Sequence, residues 1–76
     1  MKKPIIDIII PAFNEENSVG NVVNDIPKEL VREIIVVNNN STDKTAINAI
    51  NAGATVLEEV NMGYGNACLK GMYHVA

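Results

Sequence analysis

A chain of 76 residues has room for one small domain, and at that size folding buries only about 60–65% of the surface an unfolded chain exposes. At 47% hydrophobic and 20% charged residues, the composition is globular rather than disordered. The net charge of −3 excludes the basic face that nucleic acid binding needs, and it disfavours attraction to anionic lipid.

Met1-Lys2-Lys3 ahead of isoleucines has the outline of a leader. Asp7 interrupts the apolar segment and no small-residue cleavage site follows, so the segment is read as part of the domain. Ile5-Ile6-Asp7-Ile8-Ile9-Ile10 predicts a central strand, ended by Pro11, which lacks the N–H a ladder needs. Asn14 is the expected N-cap of the next helix, with Glu15 and Glu16 complementing its positive end. Val19, Val22, Val23 and Ile26 then fall at i, i+3, i+4, i+7, one apolar helical face, which Pro27 closes.

Residues 28–32 predict a connector with a helical turn, and residues 33–37 a second strand. The second strand runs into Asn38-Asn39-Asn40-Ser41-Thr42-Asp43, a tight turn and helix start. A helix over residues 42–52 follows, with Ala46, Ile47, Ala49 and Ile50 inward and Gly53 as its C-cap. Residues 54–57 predict a third strand, followed by Glu58-Glu59. Val60-Asn61-Met62-Gly63-Tyr64-Gly65 predicts a loop, and a third helix runs from Asn66 to the chain end with Cys68, Met72 and Val75 on its apolar face. Gly71 inside that helix costs about 1 kcal/mol relative to Ala; close packing against the sheet is the expected compensation. No apolar run approaches the roughly 18–20 residues of a membrane span.

Three strand–helix units in alternation predict an α/β fold: a parallel sheet, right-handed crossovers and strand order 3-2-1, half of a doubly wound sheet. Residues 1–76 are read as a single partial domain without a linker. Because the last predicted helix is still running at Val75-Ala76, the expectation is an N-terminal piece of something longer.

Ligands of such sheets sit at the carboxyl ends of the strands. At the first junction, Pro11-Ala12-Phe13-Asn14-Glu15 reads equally as a proline turn with a cap or as a carboxylate poised for a ribose diol. Phe13 is expected in the core, with walling the site as the alternative. At the second junction, three asparagines exceed what a cap requires, and an amide offers both a donor and an acceptor to a nucleobase edge. The functional reading is preferred for Asn39, capping for Ser41 and Asp43. Gly63-Tyr64-Gly65 fails the dinucleotide fingerprint: Cys68 stands where a third Gly or Ala belongs, and the pattern should follow the first strand. It reads instead as a loop for close backbone approach. His74, Cys68 and Lys70 are read as incidental, core and solvated. The single cysteine leaves no internal disulfide or zinc cluster and fits a reducing compartment.

In order and spacing, Ile9-Ile10-Pro11-Ala12-Phe13-Asn14-Glu15, Ile35-Val36-Val37-Asn38-Asn39-Asn40-Ser41-Thr42-Asp43 and Gly63-Tyr64-Gly65-Asn66-Ala67 resemble the family 2 glycosyltransferases. Within that family the likeness is greatest to polyprenyl (dolichyl) phosphate sugar synthases and their bacterial relatives. The resemblance implies the N-terminal half of a GT-A (Rossmann-like) fold holding a UDP- or GDP-linked sugar. Pro11, Ala12 and Phe13 would line the nucleoside, Glu15 would bind the ribose, and Asn39 would meet the base. The segment with Gly63, Gly65 and Asn66 would approach base or ribose.

Asn38 and Asn39 replace acidic residues of the family pattern. Asn40 replaces its glycine, which Asn tolerates because it visits left-handed conformations. The family's divalent cation (Mg or Mn) is held by an Asp-x-Asp motif absent from these residues, so no metal ligand and no catalytic residue is assigned here. Negligible transfer by the 76 residues alone is the expectation, in a cytoplasmic setting. The alternative is a non-catalytic binding or structural module that pairs with another chain, or with itself, through an exposed sheet edge. A flavodoxin-like receiver lacks its acidic residues at the first strand end, and a nucleotidyltransferase lacks its Gly-rich basic loop.

Overall fold

The computed structural model describes residues 6–75. Three strands alternate with three helices: β1 (Ile6–Ala12), α1 (Val19–Asp25), β2 (Val31–Asn38), α2 (Thr45–Asn51), β3 (Thr55–Glu58) and α3 (Tyr64–Val75), with a 3-10 turn at Lys28–Leu30 before β2. The strands form one sheet in the order β1-β2-β3, and both pairings are parallel. Read from the other edge, this is the expected 3-2-1. Ile5 and Ala76, which the sequence reading placed in the first strand and the last helix, lie outside the described residues.

β2 is central, and its continuous Ile34-Ile35-Val36-Val37 run is buried on both faces. Ile34 and Val36 face one side with Ala12, Val19, Val23 and Ala49, so α1 and α2 cover that face. Ile35 and Val37 face the other side with Ala67 of α3, flanked by Ile9, Leu57 and Val75.

Pro11 does not end β1; it lies within the strand, paired with Val37. The Ala12 carbonyl accepts from the Asn39 N–H on the β2 side, so the preceding residue's missing N–H falls on the opposite edge. Among the described residues that edge has no partner strand, and there a proline costs no ladder bond.

The helix faces depart from their predicted patterns. Val22, Ile47, Ile50 and Met72 were expected inward and are exposed. Small residues make the contacts instead: Thr45 and Ala49 in α2, Ala67 and Gly71 in α3. A Cβ on Gly71 would stand 2.4 Å from Ile9 Cγ2, so a glycine here lets α3 lie directly on β1. That is the compensation expected for it. Gly53 terminates α2 at φ 102, with its N–H on the Ile50 carbonyl and the Ala54 N–H on Ala49, as a glycine C-cap requires.

Candidate functional site

The three strands end side by side, and the junctions that follow them are tied together by side chains. Asn14 adopts φ 51 and is not a helix cap; α1 begins five residues beyond it, at Val19. The Asn14 N–H donates to Ser41 Oγ at 2.9 Å, and its Oδ1 accepts from the Thr42 N–H at 2.9 Å. Thr45, fully buried, accepts the Glu15 N–H at 2.8 Å. The Asp43 carboxylate accepts the Thr45 N–H at 2.9 Å, the Thr45 hydroxyl and the Glu16 N–H at 3.3 Å. Desolvation acts to raise the Asp43 pKa, but the hydrogen bonds from Thr45 and Glu16 prevail and hold it below the ordinary carboxylate value. The expectation that Ser41 and Asp43 serve turn and helix start is met, in a form that also locks the first junction.

Asn39 joins the second junction to the third. Its Nδ2 donates to the Glu59 carbonyl at 2.8 Å and the Asn61 carbonyl at 3.0 Å, while its Oδ1 accepts the Gly63 N–H at 2.9 Å. Both amide hydrogens are therefore engaged, and of the donor–acceptor pair expected for a base edge only one lone pair on Oδ1 remains. Asn40 sits at φ 65, in the left-handed region expected for it, and donates to the Val60 carbonyl at 2.8 Å. Asn38 donates to the Glu58 carboxylate at 2.9 Å across the strand ends. Asn38 and Asn39 are both buried, and among the described residues no buried side-chain polar atom lacks a partner.

A cleft of about 350 Å³ opens over this edge, lined by Pro11, Ala12, Phe13, Glu15, Asn39 and Tyr64. Five of the eight residues named from the sequence thus line one cavity. Phe13 is not in the core: it is 47% exposed and faces the cleft, because the backbone leaves the sheet after Ala12. The Glu15 carboxylate is steadied by the Ser18 hydroxyl at 3.0 Å and is otherwise open to solvent.

Gly63, Gly65 and Asn66 do not line the cleft. α3 starts at Tyr64, two residues earlier than expected, which makes Gly65 helical with open space where a Cβ would stand. The Asn66 amide donates back to the Met62 carbonyl at 3.0 Å. Gly63, at φ 127, serves the turn and the bond to Asn39. Tyr64 and Thr45 were missed by sequence reasoning. Tyr64 was visible only as the spacer of a G-x-G, and Thr45 only as a polar residue two after Asp43. His74 proves structural: its Nε2 lies 3.2 Å from both Glu33 carboxylate oxygens. The Thr55 hydroxyl and His74 together hold the Glu33 pKa below its ordinary value.

Helices on both faces of a parallel sheet, with a polar cleft at the strands' carboxyl ends, define the doubly wound α/β class, which binds ligands at that edge. The chain belongs to glycosyl transferase family 2, whose family model it matches over residues 7–76. It is 40% identical to the 4,4'-diaponeurosporenoate glycosyltransferase of Staphylococcus aureus (strain MRSA252), across 91% of this chain and 20% of that protein. The crystal structure of Mycobacterium tuberculosis glucosyl-3-phosphoglycerate synthase matches with a TM-score of 0.84 at 32% identity, covering 97% of this chain and 31% of that one. The same synthase in complex with Mn2+, UDP and glucosyl-3-phosphoglycerate matches at 0.85, covering 30% of that chain. These structural neighbours are GT-A glycosyltransferases. The chain spans about a fifth of the length of the curated relative and about three tenths of the solved synthase. No helix among the described residues is long and apolar enough to cross a membrane.

Proposed function

We propose that residues 1–76 are the nucleotide-binding part of a glycosyltransferase, three β-α units forming the N-terminal half of a GT-A sheet, and that the cleft holds the nucleoside of a UDP- or GDP-linked sugar. The observation carrying this reading is the convergence of Pro11, Ala12, Phe13, Glu15 and Asn39 on one cavity at the strand ends. The Phe13 ring takes the base, with Pro11 and Ala12 as van der Waals floor. Glu15 accepts from the ribose hydroxyls, in a rotamer held by Ser18. Asn39 Oδ1 accepts one ring N–H, and Gly63, Gly65 and Asn66 act through the shape of their segment.

Since Asn39 can only accept, the site favours bases that present an imino N–H, uracil or guanine, over cytosine or adenine, whose corresponding nitrogen is itself an acceptor. A net hydrogen bond of about 1 kcal/mol corresponds to roughly fivefold in affinity. Titration of the isotope-labelled chain is expected to give saturable amide shifts at Glu15 and Asn39 with UDP and GDP, and about fivefold weaker binding of CDP and ADP. Absence of saturable shifts with every nucleotide would overturn the reading.

The mycobacterial synthase holds Mn2+ or Mg2+ with UDP in its crystals. Among the described residues here, no three His, Cys, Asp or Glu side chains are grouped to hold an ion. The donor set does not fit such a metal, so no step is routed through one, and uridine binding is expected to be indifferent to chelators. No catalytic residue is assigned, and sugar transfer by the 76 residues alone is not expected; a sensitive transfer assay checks this. The reading goes with a cytoplasmic setting, in keeping with a single unpaired cysteine. A second reading, a binding module that associates through its sheet edge, is favoured by the outer edge of β1, which among the described residues pairs with no strand but β2.

A further inference from the structure

We infer that Tyr64 is the second wall of the base site, so that the base is held between two aromatic rings; this rests on the nucleotide reading of the cleft. Tyr64 is the one lining residue contributed by the third strand–helix junction, and it stands in a cleft whose other aromatic is Phe13. Both rings are open in the free chain, Tyr64 at 76% and Phe13 at 47% exposure.

The backbone around Tyr64 is held from both sides. Gly63, at φ 127, donates its N–H to Asn39 Oδ1, and the Asn66 amide donates to the Met62 carbonyl. Tyr64 therefore opens α3 from a fixed point, and its place at the cleft mouth follows from the loop rather than from packing of its own ring. The cleft has one carboxylate, Glu15, which accepts from the Ser18 hydroxyl and keeps acceptor capacity to spare, and one residual amide lone pair, on Asn39. Those polar groups suit a ribose and a single ring N–H, while the remaining lining is flat and apolar. A heteroaromatic base is the occupant that covers both rings without leaving unpaired polar groups, since every base has a π face.

The test compares wild type with Tyr64→Ala and Tyr64→Phe for UDP and uridine affinity, and follows the uracil H5 and H6 resonances on binding. Because stacking needs the ring and not the hydroxyl, Tyr64→Phe is expected to bind as wild type. Tyr64→Ala is expected to bind about tenfold more weakly, with a smaller upfield ring-current shift of H5 and H6. Tyr64 is exposed, so the thermal midpoint serves as a control that the fold is retained. Equal UDP affinity in wild type and Tyr64→Ala would overturn the inference while leaving the nucleotide site standing. Weaker binding with unchanged uracil shifts would also overturn it, by making Tyr64 a shaper of the loop. If wild type binds neither UDP nor uridine, the nucleotide reading itself fails.

Discussion

At position 39 the family pattern leads one to expect an acidic side chain, and the hydrogen bonding explains why an amide stands there in this chain. Asn39 donates to two carbonyls, Glu59 and Asn61, and accepts from the Gly63 N–H. A carboxylate could keep only the last of these. Asn39→Asp would set a charged oxygen against two carbonyl oxygens at a site 5% exposed, where leaving polar groups unpaired costs about 1–3 kcal/mol or more. The substitution is expected to lower the unfolding free energy measured by urea denaturation by that order at neutral pH, and to speed amide exchange at Gly63. Unchanged exchange at Gly63 would show that the loop does not depend on the amide. Asn39 is thereby a positioning residue for the loop as well as a wall of the cleft, two roles that the sequence alone presents as one.

At the scale of elements, the docking of α3 depends on a residue with no side chain. Gly71→Ala improves intrinsic helix propensity by about 1 kcal/mol, but the new Cβ would meet Ile9 Cγ2 at 2.4 Å and the rest of that β-branched side chain just beyond 3 Å. Overpacking of this kind costs about 1–3 kcal/mol, so the net effect is expected to be destabilising despite the better helix former. Chemical denaturation of Gly71→Ala, alone and combined with Ile9→Ala, checks it; in the pair the two losses should sum to less than their separate values, because the clash is shared. The strands are legible in the sequence because Ile and Val runs such as residues 34–37 need no partner information to declare a strand buried on both faces. The helix faces are less so. Periodicity weighs hydrophobicity, whereas these two seven-residue helices meet the sheet through their smallest or buried residues, Val19, Val23, Thr45 and Ala49, and leave Val22, Ile47 and Ile50 outside. Of the cleft, the Pro11–Glu15 segment and Asn39 are legible because turn-forming residues directly follow apolar runs. Tyr64 is not, since nothing in a G-x-G spacer says which way its side chain lies, and Phe13 misleads because aromatic residues are more often core than cleft.

For the whole molecule, the layered packing protects the centre of the sheet but not its margin. β2 is covered on both faces and paired on both sides, whereas among the described residues β1 is paired with β2 alone. Parallel sheets ordinarily keep such edges covered. Pro11 blunts the far end of this one by removing an N–H, which leaves the stretch from Ile6 to Ile10 as the available template. Ile6, 41% exposed, begins that stretch and offers no charge to repel a second copy. Edge-to-edge association of two chains is therefore expected to rise with concentration, and Ile6→Lys is expected to weaken it without moving the thermal midpoint of the dilute chain. Sedimentation velocity across the micromolar to millimolar range measures this directly. A single monomeric species throughout would remove self-association through β1, whereas association undiminished by Ile6→Lys would move the contact elsewhere, to the other edge of the sheet at β3 or to the exposed Ile47 and Ile50 of α2.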